Sequence, residues 1–363
     1  VQTTLESLAR LTHRGAVAAD GKSGDGCGIL LQFPEDFLRA VASENDIRLA
    51  ERFASGLVFF SPDPERIKQG KKHLEHHLRR SALEVAGWRE VPTCPEFVGE
   101  QALESLPAIY QVFVNAPVGW RGHDLERQLF AARRFAFEQH LSMDDPDPLY
   151  YVVTLSNLTM VYKGLVQAEH LADFYPDLRD ERMTSSIGIC HQRFSTNTLP
   201  RWNYAQPFRY LAHNGEINSV NANRDWANAR GGILHSPLLP ALDELSHVVN
   251  GTGSDSSSLD NLLEVFLAGG MDIFRAMRLL MPPALRDDMD AELRAFIEFN
   301  SMHQEPWDGP AGVVTTNGQV ALCTLDRNGL RPARYSLTHD GVFTVASEAG
   351  VWDCAPERIK RRG

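Results

Sequence analysis

The most informative stretch of this sequence is His191-Gln192-Arg193-Phe194-Ser195-Thr196-Asn197. It closes an apolar, strand-like run that contains Ile187, Ile189 and Cys190. Arg193 therefore lies at the end of the strand, where its guanidinium could form a bidentate pair with a substrate carboxylate. The alternative is a structural ion pair at the strand end, and Arg193 considered alone favours that alternative.

A second apolar run, residues 211–216, ends in an amide and a glycine, Asn214 and Gly215. The Asn214 side chain and the Gly215 backbone N–H could form an oxyanion hole, because both can donate to the oxygen of a tetrahedral intermediate. A hairpin turn is the alternative, since Asn-Gly is also a strong turn signal. The same dipeptide recurs at Asn250-Gly251, Asn317-Gly318 and Asn328-Gly329. The dipeptide alone is weak, and its flanking residues make this occurrence specific.

A third segment, Gly253-Ser254-Asp255-Ser256-Ser257, places a carboxylate in a loop of small residues. Asp255 could bind a substrate ammonium group. The alternative is helix capping, because serine and aspartate are preferred at the start of a helix and an apolar run follows. The two roles can coexist, since a loop just before a helix is rigid enough to position a carboxylate.

These three segments, in this order, resemble the class II glutamine amidotransferase domain. A later stretch, Asp326–Tyr335, narrows the resemblance to the large chain of the glutamate synthase family. The resemblance extends from about Val1 to the last residue, so one domain over residues 1–363 is expected. It implies an α+β fold, the four-layer αββα sandwich of amino-terminal-nucleophile hydrolases, with the first strand missing.

The resemblance also implies where the nucleophile should be. In this family it is a cysteine at the mature amino terminus, whose own α-amino group serves as the base. Val1 to Gly15 resembles the helix that follows the nucleophile strand. The cysteine is therefore expected upstream of Val1, because no internal cysteine has a free α-amine beside it.

The function implied by the resemblance is hydrolysis of L-glutamine to glutamate and ammonia. Arg193, Thr196 and Asp255 would bind the substrate, and Asn214 and Gly215 would stabilise the oxyanion. Ammonia would pass to a flavin synthase domain of the same full-length chain, which aminates 2-oxoglutarate. FMN and an iron–sulfur cluster are expected in that remainder and no cofactor in this chain. A small NADPH-oxidising subunit is a further partner that the resemblance allows.

Two other functions remain open from the residues. Without its nucleophile the domain could be a catalytically silent glutamine-binding or scaffold domain, and the residue upstream would decide. Amidotransfer to a sugar or purine precursor would use the same half-site. That option fits less well with the acidic and helical insertions between Ser61 and Leu141, which favour glutamate synthase.

Composition narrows the class of protein. The chain has 363 residues and a formal net charge of −11, which argues against a nucleic-acid groove. No apolar run reaches membrane-spanning length and no signal peptide opens the chain. The five cysteines are scattered and odd in number, which is typical of reduced thiols in a cytoplasmic protein.

Two motifs suggest metal or phosphate binding but fail on spacing. The loop from Asp20 to Gly28 lacks the glycine that a P-loop needs at Ala16, and Lys22 stands where a calcium loop needs an oxygen ligand. We interpret it as a tight active-site or structural loop. His73, His76 and His77 have no set of cysteines or carboxylates at metal-ligand spacing, so a solvated helix face is favoured over a zinc site and no metal is expected.

Hydrophobic periodicity predicts strands, then helices, then strands, which suggests helices packed on antiparallel sheets. It predicts a charged helix from Glu65 to Val85. Tyr150–Ser156 and Leu158–Tyr162 are predicted to pair. Two hairpins are expected near the end of the chain, with two-residue turns at Asn317-Gly318 and Asp340-Gly341.

Overall fold

The computed structural model describes residues 1–193, 199–239, 242–245, 247–251 and 253–363. Within these ranges the chain forms ten α-helices and 13 β-strands. None of these helices combines the length and the apolar composition that crossing a membrane requires.

The strands are β1 (Cys27–Gln32), β2 (Phe53–Phe60), β3 (Glu84–Glu90), β4 (Ala108–Asn115), β5 (Tyr151–Val152), β6 (Thr159–Gly164), β7 (Gly188–Gln192), β8 (Leu211–Gly215), β9 (Ala311–Thr316), β10 (Ala321–Leu325), β11 (Arg334–Thr338), β12 (Phe343–Ala346) and β13 (Ile359–Arg362). The helices are α1 (Gln2–Ala9), α2 (Glu35–Glu44), α3 (Pro64–Arg80), α4 (Glu100–Leu103), α5 (Gly122–Leu141), α6 (Leu171–Phe174), α7 (Val220–Gly231), α8 (Asp255–Ala268), α9 (Ile273–Leu280) and α10 (Ala291–Ser301).

Two three-stranded sheets, in the orders β6-β1-β7 and β10-β9-β8, carry two of the three predicted site segments. The central strand β1 is apolar over most of its length and almost wholly buried, as expected of a strand covered on both faces. Strands β7 and β8 approach each other where the two sheets meet. The residues that follow β7 and those that end β8 are therefore brought together.

The remaining strands form two further sheets, in the orders β3-β4-β2-β5 and β12-β11-β13. Helices α3 and α5 cover the four-stranded sheet, and their apolar side chains share a buried cluster with β2 and β4. Helices α7, α8 and α9 pack on β8 and β9 through a second cluster. The chain is a mixed α and β protein with several antiparallel sheets, as its sequence predicts.

The predicted helix over Glu65–Val85 is too long. Helix α3 begins at Pro64, is capped by the Asp63 carboxylate, which accepts from Arg66 N–H, and ends at Arg80. Val85 belongs to β3, which pairs with β4. The sequence pattern missed this strand because β3 is only partly buried and its charged residues continue the polar character of the helix.

The predicted pairing of Tyr150–Ser156 with Leu158–Tyr162 is wrong. The first segment forms the short strand β5, which pairs with β2. The second forms β6, which pairs with β1 in a different sheet. A short connection favours neighbouring strands, but here long-range pairing overrides that preference.

Both hairpins near the end of the chain are confirmed, but both turns are longer than predicted. Strands β9 and β10 pair from Thr316 and Ala321, so residues 317–320 form the loop. The Asn317 carboxamide oxygen accepts from the N–H groups of Gln319 and Val320, at 3.1 and 3.0 Å. Gly318 adopts a φ of 82°, which suits glycine. Strands β11 and β12 form the second hairpin, and their last pair is Leu337 and Phe343, so residues 338–342 form the connection.

The histidines on α3 are not simply a solvated face. His77 is 3% exposed and its Nε2 lies 2.6 Å from the Gln139 carboxamide oxygen of α5. Burial lowers the pKa of His77 to about 4, so the ring is neutral near pH 7. In the described part of the chain no group of three histidine, cysteine or acidic side chains could hold a metal ion.

Candidate functional site

The end of β7, the end of β8 and the start of α8 open onto one cleft of about 1470 Å³. Its lining includes Arg193, Asn214, Gly215 and Asp255. The structure thus brings together four of the five residues singled out from the sequence. The fifth, Thr196, lies outside the described residues.

Arg193 directly follows β7 and is only 8% exposed. Its backbone N–H donates to the Gly26 carbonyl at 2.9 Å, and its Nη1 donates to the Asp25 carbonyl at 3.4 Å. Burial lowers the pKa of Arg193, while the charges of Asp25 and Asp255 oppose that shift. An arginine remains protonated under such a shift. Arg193 is therefore a fixed cation at the cleft, within electrostatic range of Asp255.

Asn214 and Gly215 do not form a hairpin turn. They are the last residues of β8 and lie opposite Gly312 and Ala311 of β9. Asn214 is exposed to the cleft, and its side chain makes no hydrogen bond to the described residues. Its carboxamide is therefore available to a ligand.

Gly215 has a requirement for glycine that the sequence does not show. Its φ is 130°, in the region that L-residues with a Cβ avoid. A Cβ atom here would also collide with the carbonyl oxygen of Pro310. The backbone conformation of Gly215 therefore requires a residue without a side chain.

Asp255 is the first residue of α8, but the N-cap is Ser254, whose hydroxyl accepts from Ser257 N–H at 3.2 Å. The Asp255 carboxylate accepts from the N–H groups of Ile217 and Ser256, at 2.9 and 2.7 Å. Its side chain is 25% exposed. The capping alternative therefore falls to Ser254, and the carboxylate of Asp255 faces the cleft.

The sequence matches the family of class II glutamine amidotransferases over residues 1–363. The chain belongs to the class II glutamine amidotransferases.

Similar proteins include three glutamate synthases. Ferredoxin-dependent glutamate synthase of Pyropia yezoensis is 39% identical over 370 residues, which cover 100% of this chain and 24% of that protein. The large chain of NADPH glutamate synthase of Bacillus subtilis is 38% identical over 99% of this chain and 24% of its own length. NADH glutamate synthase of Saccharomyces cerevisiae is 37% identical, with 98% and 17% covered. The chain thus spans less than a quarter of the length of these relatives.

The glycine-rich loop of this amidotransferase lies beside Arg193. The Asp20 carboxylate accepts from the N–H groups of Lys22 and Ser23 and from that of Gln101 at the start of α4. These hydrogen bonds hold the loop closed, and its Asp25 and Gly26 carbonyls accept from Arg193. The loop is a structural support for the guanidinium, which agrees with the interpretation from sequence.

The cysteines of the amidotransferase chain do not supply an activated thiol in this cleft. Cys190 and Cys323 line it, but burial raises the pKa of both thiols, that of Cys190 to about 12. Burial also raises the pKa of Cys27, which is fully buried in β1. A thiolate is the reactive form, and burial in apolar surroundings disfavours it.

Sequence reasoning missed further side chains at the site. Arg224 on α7 donates to the Gly253 carbonyl at 2.5 Å and to the Ser258 hydroxyl at 2.9 Å, and so supports the loop before Asp255. Nothing in the helix pattern around Arg224 marks it. His213 and Ser256 lie within the quoted segments, but only the fold shows that they touch.

Proposed function

We propose that this chain is the glutaminase domain of a glutamate synthase and hydrolyses L-glutamine to glutamate and ammonia. The observation that carries the proposal is that one cleft collects Arg193, Asn214, Gly215 and Asp255. The family supplies the amidotransferase chemistry. The names of relatives at 37–39% identity over nearly the whole chain support glutamate synthase as the parent protein.

The charges of the cleft fit the two ends of an α-amino acid. Arg193 would bind the α-carboxylate of glutamine, because a guanidinium and a carboxylate form paired hydrogen bonds. Asp255 would bind the α-ammonium. Thr196, which lies outside the described residues, is a further candidate for substrate binding on the strength of the resemblance. A substrate held at both charges presents its side-chain amide to the rest of the cleft.

Asn214 and Gly215 would act at the amide carbon. A nucleophile attacks that carbon, and the carbonyl oxygen becomes an oxyanion. The Asn214 carboxamide and the Gly215 N–H would donate to that oxygen and stabilise it more than they stabilise the ground state. Ammonia then leaves, and water releases glutamate.

The nucleophile in this proposal is a cysteine that precedes Val1 in the full-length protein. The support is chemical, because burial raises the pKa of the thiols of Cys27, Cys190 and Cys323, and because Cys94 and Cys354 do not line the cleft. A thiol with a raised pKa is a poor nucleophile near neutral pH.

The finer fold in the proposal is a single domain over residues 1–363, the four-layer αββα sandwich without its first strand. Two observations support it. The sheets β6-β1-β7 and β10-β9-β8 meet at β7 and β8, as two facing inner layers would. Helix α1 packs on β7, and α8 packs on β8, as outer layers would.

The ammonia would be used elsewhere in the full-length protein, by a flavin synthase domain that aminates 2-oxoglutarate. FMN and an iron–sulfur cluster belong to that remainder in this proposal. The Bacillus subtilis relative is named a large chain, which supports a small NADPH-oxidising subunit as a further partner.

The test is ammonia release from L-glutamine by the full-length protein and by its Asp255→Asn variant. The intact protein should release ammonia, and Asp255→Asn should raise the KM for glutamine. Asp288→Asn is the matched control, since that carboxylate is 80% exposed and does not line the cleft. No ammonia from the intact protein would favour the silent binding or scaffold domain.

A further inference from the structure

A row of hydrogen bonds lies behind the Asp255 carboxylate. His213 Nδ1 is 2.8 Å from the Ser256 hydroxyl oxygen, and that hydroxyl is 3.1 Å from Asp255 Oδ1. His213 and Ser256 are each only 2% exposed. The row therefore runs from a buried ring to the carboxylate at the cleft.

The chemistry of the three groups fixes the direction of these bonds. An ionised carboxylate only accepts, so the Ser256 hydroxyl proton points to Asp255. The hydroxyl oxygen must then accept from His213, which places the proton of the ring on Nδ1. Burial lowers the pKa of His213, so the ring is neutral. Its Nε2 has no hydrogen-bond partner among the described residues.

The same histidine is held through its backbone. His213 N–H donates to the Gln206 carboxamide oxygen at 2.7 Å, and Gln206 Nε2 donates to the His213 carbonyl at 3.1 Å. Gln206 Nε2 also lies 3.4 Å from the Ser256 hydroxyl. His213 directly precedes Asn214 in β8. The row thus connects the strand that ends in Asn214 and Gly215 to the start of α8.

We propose that Ser256 and His213 are positioning residues for Asp255, and that they set the preference of the cleft for ligands that carry an α-ammonium group. The proposal rests on the proposed function, in which Asp255 binds that ammonium. The Ser256 hydroxyl holds Asp255 Oδ1, and the Ile217 N–H holds Oδ2 at 2.9 Å. Loss of the hydroxyl would remove one donor to Asp255 Oδ1, which keeps the Ser256 N–H at 2.7 Å, and would so loosen the orientation of the carboxylate toward the ligand.

The test compares two competitive inhibitors of glutamine hydrolysis by the full-length protein, L-glutamate and glutarate. They share two carboxylates, but only L-glutamate has an ammonium group. The measured quantity is the Ki of glutarate divided by the Ki of L-glutamate. Both constants come from one preparation, so the ratio does not depend on how much of a variant is folded.

Ser256→Ala should lower this ratio about threefold to tenfold, the loss expected for one ordinary hydrogen bond, by raising the Ki of L-glutamate alone. Ser257→Ala is the matched control. Its hydroxyl donates to the Ser254 carbonyl at 2.7 Å and does not line the cleft, so the ratio should stay at the wild-type value. An unchanged ratio in Ser256→Ala, or an equal rise in both Ki values, would overturn the proposal.

Asp255→Asn distinguishes a failure of the positioning role from a failure of the proposed function on which it rests. If Asp255→Asn lowers the ratio and Ser256→Ala does not, the positioning role is wrong while the substrate site stands. If neither variant changes the ratio, the assignment of Asp255 as the ammonium ligand is wrong as well. His213→Asn keeps a side-chain N–H donor and should retain more of the ratio than His213→Ala. Equal losses in those two variants would also overturn the role of His213.

Discussion

Asn214-Gly215 and Asn317-Gly318 are the same dipeptide in two different structures. The first ends strand β8 and faces the cleft, with an Asn214 side chain that makes no hydrogen bond to the described residues. The second turns the hairpin between β9 and β10, and there the Asn317 carboxamide accepts from two backbone N–H groups. The Asn317 carboxamide is therefore already bonded within its own turn, whereas the Asn214 carboxamide is available to a ligand.

The difference comes from contacts that are distant in sequence. Gly215 lies opposite Ala311, and the Pro310 carbonyl oxygen occupies the place that a side chain would need. The first asparagine is therefore held on a paired strand, while the second makes the hydrogen bonds of its own turn. A dipeptide that signals a turn can thus be recruited to a site when a neighbouring strand fixes it. Substitutions in both regions should separate the two roles.

The largest effect is expected for Asn214→Ala in the full-length protein. A donor that acts on a developing oxyanion matters most in the transition state, so its loss should lower kcat by roughly 10²–10³, about 2.7–4 kcal/mol. The KM for glutamine should change little, because ground-state binding rests on the charged groups. Steady-state kinetics of ammonia release measures both constants.

The urea midpoint of the same variant is the control. Because Asn214 is exposed and its side chain makes no hydrogen bond within the described residues, alanine should leave the midpoint nearly unchanged. A normal kcat would show that the oxyanion assignment is wrong. The amidotransferase site would then rest on Arg193 and Asp255.

Arg193→Ala should have the next largest effect, and on the other kinetic constant. Loss of a guanidinium that binds the α-carboxylate removes a ground-state interaction of about 1.5–3 kcal/mol and should raise KM more than it lowers kcat. The control is Arg358→Ala, whose guanidinium pairs with Asp340 in the second hairpin. An unchanged KM in Arg193→Ala would mean that Arg193 serves only to hold the loop at Asp25 and Gly26.

Asn317→Ala is the counterpart of Asn214→Ala. It leaves the N–H groups of Gln319 and Val320 without their acceptor, and the loss of such a local cap costs about 0.5–2 kcal/mol of stability. The urea midpoint should fall while kcat and KM stay normal. If Asn317→Ala reduced kcat as Asn214→Ala is expected to, the two asparagines would not be functionally distinct.

The sequence correctly predicted the features that depend on residues close together in the chain. The hairpin at Asn317 and the start of α8 at Ser254 follow from turn and capping preferences, and both are confirmed. Strand pairing is not local, which is why Tyr150–Ser156 was assigned the wrong neighbour. The burial of His77 could not be predicted either, because it depends on Gln139 from another helix.

In the candidate site, too, some features could be predicted from the sequence and others depend on contacts between distant segments. Residue chemistry suggested a cation, an amide and an anion, and the family resemblance put Arg193, Asn214 and Asp255 in one site. The fold then places all three on one cleft. The glycine requirement at Gly215 and the contact of His213 with Ser256 had no sequence signal, because each depends on an atom from a distant segment.

The smallest effect is expected at a third copy of the dipeptide, Asn328-Gly329. The Asp326 carboxylate organises this loop by accepting from the N–H groups of Asn328, Leu330 and Arg331, and it also accepts from Ala311 N–H opposite Gly215. Burial acts to raise the pKa of Asp326, but these donors together outweigh it and hold the pKa below the ordinary value of 3.8.

A carboxyl group whose pKa is lower in the folded than in the unfolded state stabilises the fold above its unfolded pKa. That contribution is lost as the pH falls below 3.8 and through the folded pKa. Asp326→Asn should therefore have a lower urea midpoint than the wild type at pH 7, and the gap should narrow as the pH falls below 4. Asp288→Asn, at an exposed position, should show no gap at any pH. If the difference in urea midpoint between Asp326→Asn and the wild type stays constant with pH, the charge of the carboxylate does not stabilise the loop. The loop at Asn328-Gly329 would then be held by neutral hydrogen bonds, as the loop at Asn317-Gly318 is.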